Sequence, residues 1–513
     1  MSTKKYVAAL DIGTTSAKAV LFQKNGVVVA EHECSYPVYQ PQPSWVEQDP
    51  YEIEQAAIRS LSAAIQKSGI QPSELICVSF SSAMHSLICV NEKHEAISPS
   101  ITWADGRSVE QASRLKDTFG TDIYLQTGTP LHPMSPLCKL LWMRDTGYGP
   151  YVQAAKFVSI KEFLFMRWFG TYIVDYAIAS ASGLFNIHTF DWHEDALVAA
   201  GISKEQLSKP VPSTTICQGL SSELANRMSV SVDIPFVIGS SDGPLANLGI
   251  GAINPGDVAL TIGTSGAIRQ MSSSPRTDEL QEIFCYGVTK DLWIMGGPSN
   301  NGGIVFQWMK DVFGEIEVER ALTSGDASAY DLLSELAKGV KPGADGLLFL
   351  PFLNGERAPY WDANARGSYI GLTLAHKKAH MIRAGLEGVI FSMYSIGEAL
   401  ERLAGEPANL FASGGFARSS LWLQMVADIF GKEVQVPVSH QSSAWGAAWF
   451  GLYALGEVSS LSAIKTEIPM KETYVPNAVH HQVYRQLYET YRDLYAALKP
   501  HFHALATIQK AAK

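Results

Sequence analysis

The sequence predicts an α/β fold built from two related domains, and three observations support this prediction. The nonapeptide ALDIGTTSA at 9–17 lines up with ALTIGTSGA at 259–267, 250 positions later, with six of nine residues identical. In each copy an apolar run enters a Gly/Thr/Ser turn and a second apolar run follows, which is typical of a β-hairpin. Strand patterns also precede helical patterns in both halves of the chain. The length of 513 residues suffices for two or three separate hydrophobic cores.

The first half begins with three predicted strands, at 6–10, 18–23 and 27–31, and Asn-Gly at 25–26 predicts a type I′ turn between the last two. A helix follows, because Asp49 is a good N-cap and Pro50 suits the first helical position. Glu52 can close a capping box, and Gly69 is a stop signal. Further apolar patterns predict strands at 75–80, 87–90 and 233–239 and helices at 107–118 and 136–145.

The second half repeats this plan from about residue 257. Strands open it, and one at 409–412 runs into a double glycine. The uncharged, Gly-rich stretch 243–256 lies between the halves and is the candidate hinge, and the tail after 470 is predicted to be helical and polar. Helical patterns occur at 301–313, 328–338, 376–404 and 419–431.

Composition narrows the class of protein. The net charge of −10 argues against a nucleic-acid-binding protein, because no basic surface is implied. No uncharged apolar run is long enough to cross a membrane. The six cysteines are scattered without a CxxC pair, which suits reduced thiols in the cytosol. The N-terminus reaches an acidic residue before a signal-peptide hydrophobic region could form. We therefore expect a cytoplasmic enzyme.

The two Gly/Thr/Ser turns are candidate cradles for phosphate oxygens, formed by Gly13, Thr14, Thr15 and Ser16 and by Gly263, Thr264 and Ser265. Asp11 begins the first turn, and a carboxylate there suits a Mg²⁺ ion held through water. An Asp that merely ends a strand and caps a turn is the alternative. In the second copy Thr261 replaces Asp11, so we interpret the first turn as the metal side and the second as the nucleotide side. A nucleotide held in a cleft between two domains is the resulting hypothesis.

Asp242 follows a predicted buried strand and is a candidate general base. A carboxylate there could accept the proton of a substrate hydroxyl as it attacks the γ-phosphorus of ATP. An Asp that caps the following helix is the alternative. The segment 239–243 also fits G-x-S-x-G, the hydrolase elbow, with Ser241 as nucleophile. That pattern matches often by chance and leaves both phosphate-type turns unexplained.

Two glycine-rich segments, 296–303 and 411–419, each precede a helix. Double glycines let a flat ligand lie against the backbone, and a helix start offers N–H donors to anions. Ordinary loop glycines are the alternative. The His/Asp-rich segment 188–195 lacks a zinc spacing and is interpreted as a solvated loop and helix start. The absence of GxxxxGK[ST] excludes a P-loop enzyme on pattern.

Six motifs together resemble, in order, the FGGY carbohydrate kinase family, over nearly the whole chain. They are DIGTTSAK at 11–18, WADGR at 103–107, SSDG at 240–243, TIGTSG at 261–266, GERAPYWDANARG at 355–367 and SGGFARS at 413–419. The resemblance implies two actin-like (ribonuclease H-like) domains with a cleft between them. Residues 1–245 would bind the sugar and carry the catalytic base, and residues 246–513 would bind ATP. One departure is Gln441, where the family often has a Glu before Gly-Ala-Ala.

The resemblance also implies site residues. It places Asp242 as catalytic base and Asp11 near Mg²⁺. Around ATP it places the two turns, with Gly13, Thr14, Thr15, Ser16, Gly263, Thr264 and Ser265, and also Gly303, Gln307, Gly414, Gly415 and Ser419. Near the sugar it places Met84, His85, Trp103, Asp105 and Asp242.

Within the family, 81–87 and 127–140 are most similar to bacterial gluconate kinases. This implies transfer of the γ-phosphate to a primary hydroxyl, the 6-hydroxyl of D-gluconate. His85, His132 and Lys139 then offer positive charge to the sugar-acid carboxylate. Xylulose, ribulose and glycerol kinases are near alternatives, because a few hydrogen bonds decide sugar choice. An actin- or chaperone-type ATPase without a sugar substrate is the alternative of another class. The expected partners are ATP and a sugar or sugar acid, without nucleic acid or membrane, and a homodimer stays open.

Overall fold

The computed structural model describes residues 5–118, 120–325, 327–438 and 441–511. The chain forms two compact units. The first comprises 1–255, 271–295 and 439–468, and the second comprises 256–270, 296–438 and 469–513. The predicted division of roles between 1–245 and 246–513 stays a prediction.

The strands are, in chain order, β1 (Tyr6–Ile12), β2 (Ser16–Gln23), β3 (Val28–Ser35), β4 (Glu47–Gln48), β5 (Leu75–Ser82), β6 (Ile88–Val90), β7 (Ser100–Ile101), β8 (Lys156–Val158), β9 (Ile173–Asp175), β10 (Phe185–Asn186), β11 (Asp191–Trp192), β12 (Lys209–Val211), β13 (Ile216–Cys217), β14 (Phe236–Ser241), β15 (Asp257–Ile262), β16 (Gly266–Ser272), β17 (Phe284–Thr289), β18 (Leu292–Ser299), β19 (Leu348–Leu350), β20 (Ser368–Ile370), β21 (Asn409–Ser413), β22 (Val434–Pro437) and β23 (Met470–Tyr474).

The α-helices are α1 (Pro50–Ser68), α2 (Val109–Lys116), α3 (Gly120–Thr127), α4 (Pro136–Asp145), α5 (Gly149–Gln153), α6 (Ile160–Phe169), α7 (Tyr176–Ala181), α8 (Glu194–Ala200), α9 (Ser222–Met228), α10 (Asp242–Gly249), α11 (Gly303–Phe313), α12 (Glu315–Ser324), α13 (Ala329–Lys338), α14 (Lys378–Ala404), α15 (Ser420–Phe430), α16 (Ser442–Ala454) and α17 (Ala478–Ala511).

A six-stranded mixed sheet forms the centre of the first unit, in the order β13-β14-β5-β1-β2-β3. β1 and β2 are antiparallel, whereas β1, β5 and β14 run parallel side by side. One face carries a core that includes apolar residues of α1, α6 and α9. The opposite face carries a second core, to which α10 and α16 contribute. The first unit is therefore a helix–sheet–helix sandwich, as α/β folds require.

The second unit repeats this strand arrangement. Within it, neighbouring strands lie in the order β16-β15-β21-β22-β23. Here β15 pairs antiparallel with β16 and parallel with β21, and β22 follows in parallel. The buried helix α14 packs against α11, α13 and α15. The predicted α/β fold with duplicated domains is confirmed, because the two copies of the nonapeptide occupy equivalent hairpins.

Local signals account for α1. Asp49 caps it by accepting hydrogen bonds from the amides of Tyr51 (2.8 Å) and Glu52 (3.4 Å). Gly69 ends the helix in the left-handed region, with φ 70°. The Glu52 carboxylate does not close the expected capping box and accepts instead from the Tyr39 hydroxyl at 3.1 Å.

Two further local expectations were wrong. In the turn before β3 only Gly26 has positive φ (85°), so the turn is not type I′, which needs two such residues. The candidate hinge 243–256 begins within the buried helix α10, and its role as a hinge stays a prediction. Strand β23 was missed, because its exposed polar residues lack the apolar alternation that marks a strand.

The His/Asp-rich segment 188–195 contributes the turn and strand β11 to the short hairpin β10–β11, and the His193 side chain caps α8. Across the described ranges, no group of three or more His, Cys, Asp or Glu side chains is arranged to hold a metal. Among the helices described, none combines the length and apolar character needed to cross a membrane.

Candidate active site

Three parallel strands of the first unit end side by side. Asp11 of β1 is in register with Ser81 of β5, which is in register with Ser240 of β14. The residues that follow these strands are the turn 13–16, Met84 with His85, and Asp242. Ligands of open α/β sheets bind at the carboxyl ends of parallel strands. The fold thus brings five of the predicted site segments and residues to one edge of one sheet.

The carbonyl oxygens of the turn 13–16 all accept hydrogen bonds from within the protein. The Tyr36 hydroxyl donates to the carbonyls of Gly13 and Ser16, and the Tyr36 amide donates to Thr15. The Gln48 amide side chain donates to the carbonyl of Thr14. Because all four carbonyl oxygens accept bonds from within the unit, an anion approaching the amide side would not meet them. This arrangement suits a phosphate cradle.

Asp11 is partly buried beside this turn. Its Oδ2 accepts from the Ser443 hydroxyl at 2.7 Å, whereas Oδ1 is buried and has no hydrogen-bond partner among the described residues. Burial and the charge of Asp11 raise the pKa of Tyr36, so that hydroxyl remains a donor. An orphaned carboxylate oxygen fits a cation or its bound water, because hard cations take oxygen ligands.

Asp242 is the first residue of α10 rather than its N-cap. The carboxylate accepts from the amide of Gly243 at 2.8 Å and is partly exposed. The position just past a buried strand end is fixed by packing on both faces of the sheet. A partly exposed carboxylate at a strand end can both reach a substrate hydroxyl and keep its orientation.

His85 is held in a conformation unusual for a side chain with a Cβ, with φ 68°. Its Nδ1 lies 2.7 Å from the carbonyl of Ala181, and because a carbonyl only accepts, Nδ1 carries the hydrogen. In the neutral ring Nε2 is then the acceptor. Lys139 donates to the carbonyl of His85 at 2.5 Å, which stabilises the backbone at this position.

Lys139 is fully buried, and its ammonium donates to three carbonyls, those of His85, Met134 (2.9 Å) and Ile101 (3.4 Å). Because its three donors are engaged, Lys139 holds these three backbone segments together and has no donor left for a sugar acid. Burial lowers its pKa to about 7, against the opposing charge of Asp105.

This lowered pKa predicts a pH-dependent stability. Between about pH 7 and 10.5 the unfolded chain keeps the Lys139 proton that the folded chain has lost. The free energy of unfolding therefore rises with pH there, by up to about 1.4 kcal/mol per pH unit. We expect the melting temperature of wild type minus that of Lys139→Met to increase from pH 7 to pH 9. A difference that is constant or falls with pH would contradict the assigned direction.

The remaining residues predicted to bind the sugar differ in how far their polar atoms are already engaged within the protein. The Trp103 indole donates to the Thr14 hydroxyl at 2.9 Å, which joins it to the phosphate-type turn. The Asp105 carboxylate is fully buried and accepts from Arg107 and from the amide of Val46 at 2.7 Å. A direct sugar contact by Asp105 stays a prediction, although these bonds already occupy both of its oxygens. His132 accepts from the amide of Met134 at 3.2 Å just before α4.

In the second unit the turn 263–265 lies against the start of α11. The amide of Gly303 donates to Gly263 at 2.7 Å, and that of Ile304 donates to Thr264 at 3.1 Å. A Cβ at Gly303 would lie 2.7 Å from the carbonyl oxygen of Gly263, so this approach needs glycine. Gln307 is exposed one helical turn further on and shares a face of α11 with Gly303.

The glycine pair after β21 meets the end of β15. Gly414 has φ 98°, and a Cβ there would lie 2.5 Å from the carbonyl oxygen of Ile262. A Cβ at Gly415 would meet open space, which leaves room for a ligand against the backbone. The Ser419 hydroxyl caps α15 by accepting from Trp422 at 3.3 Å. The structure thus brings the second set of predicted nucleotide residues to the ends of two paired parallel strands.

Sequence reasoning missed Glu356 of the second unit. It is buried and accepts from the Ser299 hydroxyl (2.8 Å), the Asn300 amide (2.9 Å) and the Asn301 side chain (3.3 Å). It thereby holds the loop that leads into α11. Burial raises its pKa. The motif at 355–367 marked the segment, but no local signal gave this role.

The alternative of a hydrolase has no support at Ser241. Its hydroxyl is buried and makes no hydrogen bond within the described ranges, whereas a serine nucleophile needs an adjacent base.

Comparisons with known proteins find similar sugar kinases. Over 508 residues the chain is 46% identical to gluconokinase of Bacillus subtilis (strain 168), with 98% of each sequence covered. It is 29% identical over 511 residues to xylulose kinase of the same strain, covering 99% of this chain and 100% of that one. Gluconate kinase from Lactobacillus acidophilus matches with TM-score 0.91 and 35% identity over 98% of this chain and 99% of that one.

Ligand-bound xylulose kinase from the same organism matches with TM-score 0.92 and 34% identity over 98% of this chain and 100% of that one. Fold similarity therefore does not separate the two kinases. Residues 6–249 match the N-terminal domain of the FGGY family of carbohydrate kinases, and residues 258–455 match its C-terminal domain. The chain belongs to the FGGY family of carbohydrate kinases.

Proposed function

We propose that this carbohydrate kinase transfers the γ-phosphoryl group of ATP to the 6-hydroxyl of D-gluconate. The observation that supports gluconate as the substrate is the difference in sequence identity over the full length, 46% to a gluconokinase against 29% to a xylulose kinase. The fold alone gives no preference, because its TM-scores to a gluconate kinase and a xylulose kinase are nearly equal.

In this proposal Asp242 is the catalytic base of the first unit. It orients the attacking hydroxyl and accepts its proton while the bond to the γ-phosphorus forms. His85 and Trp103 contact the sugar, since an indole face packs on C–H groups and an imidazole bonds to hydroxyls. The indole N–H already bonds to Thr14, so Trp103 links the sugar side to the phosphate-type turn.

The turn 13–16 would bind phosphate oxygens through amides other than that of Gly13, which donates to the carbonyl of Ser16. Asp11 would hold Mg²⁺ through Oδ1 or a bound water. The ion supplies positive charge to the phosphates when it is present. In the second unit the turn 263–265, Gly303, Gln307, Gly414, Gly415 and Ser419 bind the nucleotide. The Lys139 donors are engaged by carbonyls, so in this proposal the sugar-acid carboxylate is recognised by His132 and by the protonated form of His85.

The substrate is tested by coupled ADP release with gluconate, xylulose, ribulose and glycerol in parallel. We expect kcat/KM for gluconate to exceed that for each neutral substrate by about 10³-fold or more, because a neutral sugar would leave the polar partners of the carboxylate unpaired. Preference for a neutral sugar would overturn the substrate and leave the kinase assignment intact. ADP release that no sugar stimulates would favour a chaperone- or actin-type ATPase.

A further inference from the structure

A buried lysine lies beneath β14, the strand that leads into Asp242. Lys161, the second residue of α6, is 1% exposed. Its ammonium donates to Oδ2 of Asp175 (2.7 Å) and to the carbonyls of Ile238 (3.2 Å) and Ser240 (2.9 Å). An ammonium has three donors, so this set uses all of them. Two of the three contacts fall on β14 just before it ends.

Those two carbonyls flank an irregularity in β14. The register between β14 and β5 shifts between Val237 and Ser240. Gly239, between the two carbonyls, has φ 63°, and a Cβ there would lie 1.9 Å from the carbonyl oxygen of Phe80. A β-bulge re-aims the side chains that follow it and costs ladder hydrogen bonds. The Lys161 ammonium compensates by binding the two carbonyls on either side of the bulge.

The partner of Lys161 also joins the sugar side of the site. Asp175 caps α7, because its Oδ1 accepts from the amides of Ala177 (3.1 Å) and Ile178 (3.2 Å). The last residue of that helix, Ala181, provides the carbonyl for the His85 ring. The pair formed by Lys161 and Asp175 therefore connects the end of β14 to the helix that orients His85.

We propose that Lys161 is a positioning residue for phosphoryl transfer: it fixes the bulged end of β14 and so aims the Asp242 carboxylate at the substrate hydroxyl. This inference rests on the proposed function, in which Asp242 is the base. Lys161 itself does not touch substrate.

Charge supports the same role. Burial lowers the pKa of Lys161, while the carboxylates of Asp175 on β9, Asp242 on α10 and Glu162 on α6 oppose that shift. The ammonium thus interacts electrostatically with Asp242 as well as with its ion-pair partner. A nearby positive charge favours an ionised carboxylate. Removing it should move the acid limb of the kcat–pH profile to higher pH.

The test uses the full-length enzyme with Lys161→Met combined with Asp175→Asn. This double variant removes both members of the ion pair, and Asn caps a helix as well as Asp does. Its matched control is Arg167→Met with Glu54→Gln, which removes another ion pair of α6 (2.8 Å) that does not touch β14. We expect kcat to fall about 10-fold, the acid limb to move to higher pH and KM for ATP to stay within about twofold.

Two further variants separate the outcomes. Asp175→Asn alone keeps the ammonium and removes a nearby negative charge, so the acid limb should move to lower pH, opposite to the double variant. In the Asp242→Asn background the double variant should cost little further activity, because positioning acts through the missing base. Equal losses in both backgrounds, or a profile like that of the control, would overturn the role of Lys161. Full activity of Asp242→Asn by itself would instead overturn the proposed function.

Discussion

Replacing Asp242 by Asn is expected to lower kcat by about 10²-fold or more, the usual size of a general-base contribution. Asn has nearly the same shape and can keep the first position of α10, but it cannot accept the hydroxyl proton. Nucleotide affinity should stay unchanged, because the predicted nucleotide residues lie in other segments. The measurements are coupled ADP release at saturating gluconate and titration calorimetry with ATP.

The matched control is Asp233→Asn, an exposed acid nine residues earlier, just before β14. It removes the same charge from the same unit and should leave kcat unchanged. Near wild-type turnover in Asp242→Asn would remove Asp242 from its role. Equal losses in the two variants would point to net charge rather than to a base.

The second large effect is expected at Gly446, where α16 crosses α10. A Cβ at Gly446 would lie 2.0 Å from the carbonyl oxygen of Leu245, and one at Gly249 would lie 1.8 Å from that of Ser442. Both obstacles are backbone atoms, which cannot rotate away. Gly446→Ala must therefore push the helices apart, at a cost near the upper end of about 1–3 kcal/mol for overpacking.

That displacement should also lower the rate of phosphoryl transfer. α10 begins at Asp242, and α16 carries Ser443, which donates to Asp11. A shift of about 1 Å can cost about 10²-fold in rate, so kcat should fall by a comparable factor together with the melting temperature. Gly149→Ala is the control, because a Cβ at this helical glycine meets open space. A Gly446→Ala enzyme with wild-type stability and kcat would show that the crossing can relax.

The sequence predicted those features that depend on neighbouring residues. Asp49, Pro50 and Gly69 define α1 through local hydrogen bonds and backbone preference, and the structure confirms all three. The duplicated hairpins could likewise be predicted from the sequence, because each lies within one short repeated motif. The turn type predicted at Gly26 was wrong. The pairing of β2 with β3 shifts register between Leu21 and Phe22, beside this turn, and Asn-Gly alone does not encode that shift.

Contacts between distant residues could not be predicted in the same way. Lys161 and Ser240 are separated by 79 positions, and a lone lysine in an apolar helix gives no indication of its partner. Lys139 was expected to offer charge to a ligand, and only the fold shows that three carbonyls engage its donors. The Asp105 carboxylate is similarly occupied by Arg107, whose guanidinium lies 3.8 Å from the Trp45 ring centre.

The segmented first unit has a consequence for chimaeras and gene dissection. Its sheet comes from the beginning of the chain, whereas α16, which covers one face of β1 and β5, comes from 442–454. A fragment ending at residue 255 would expose Val7 and Ala9 on that face to water. A single mid-gene crossover between two relatives would likewise pair one parent's sheet with the other parent's covering helix. Exchange of substrate preference between such enzymes therefore requires the late segment to travel with the early one.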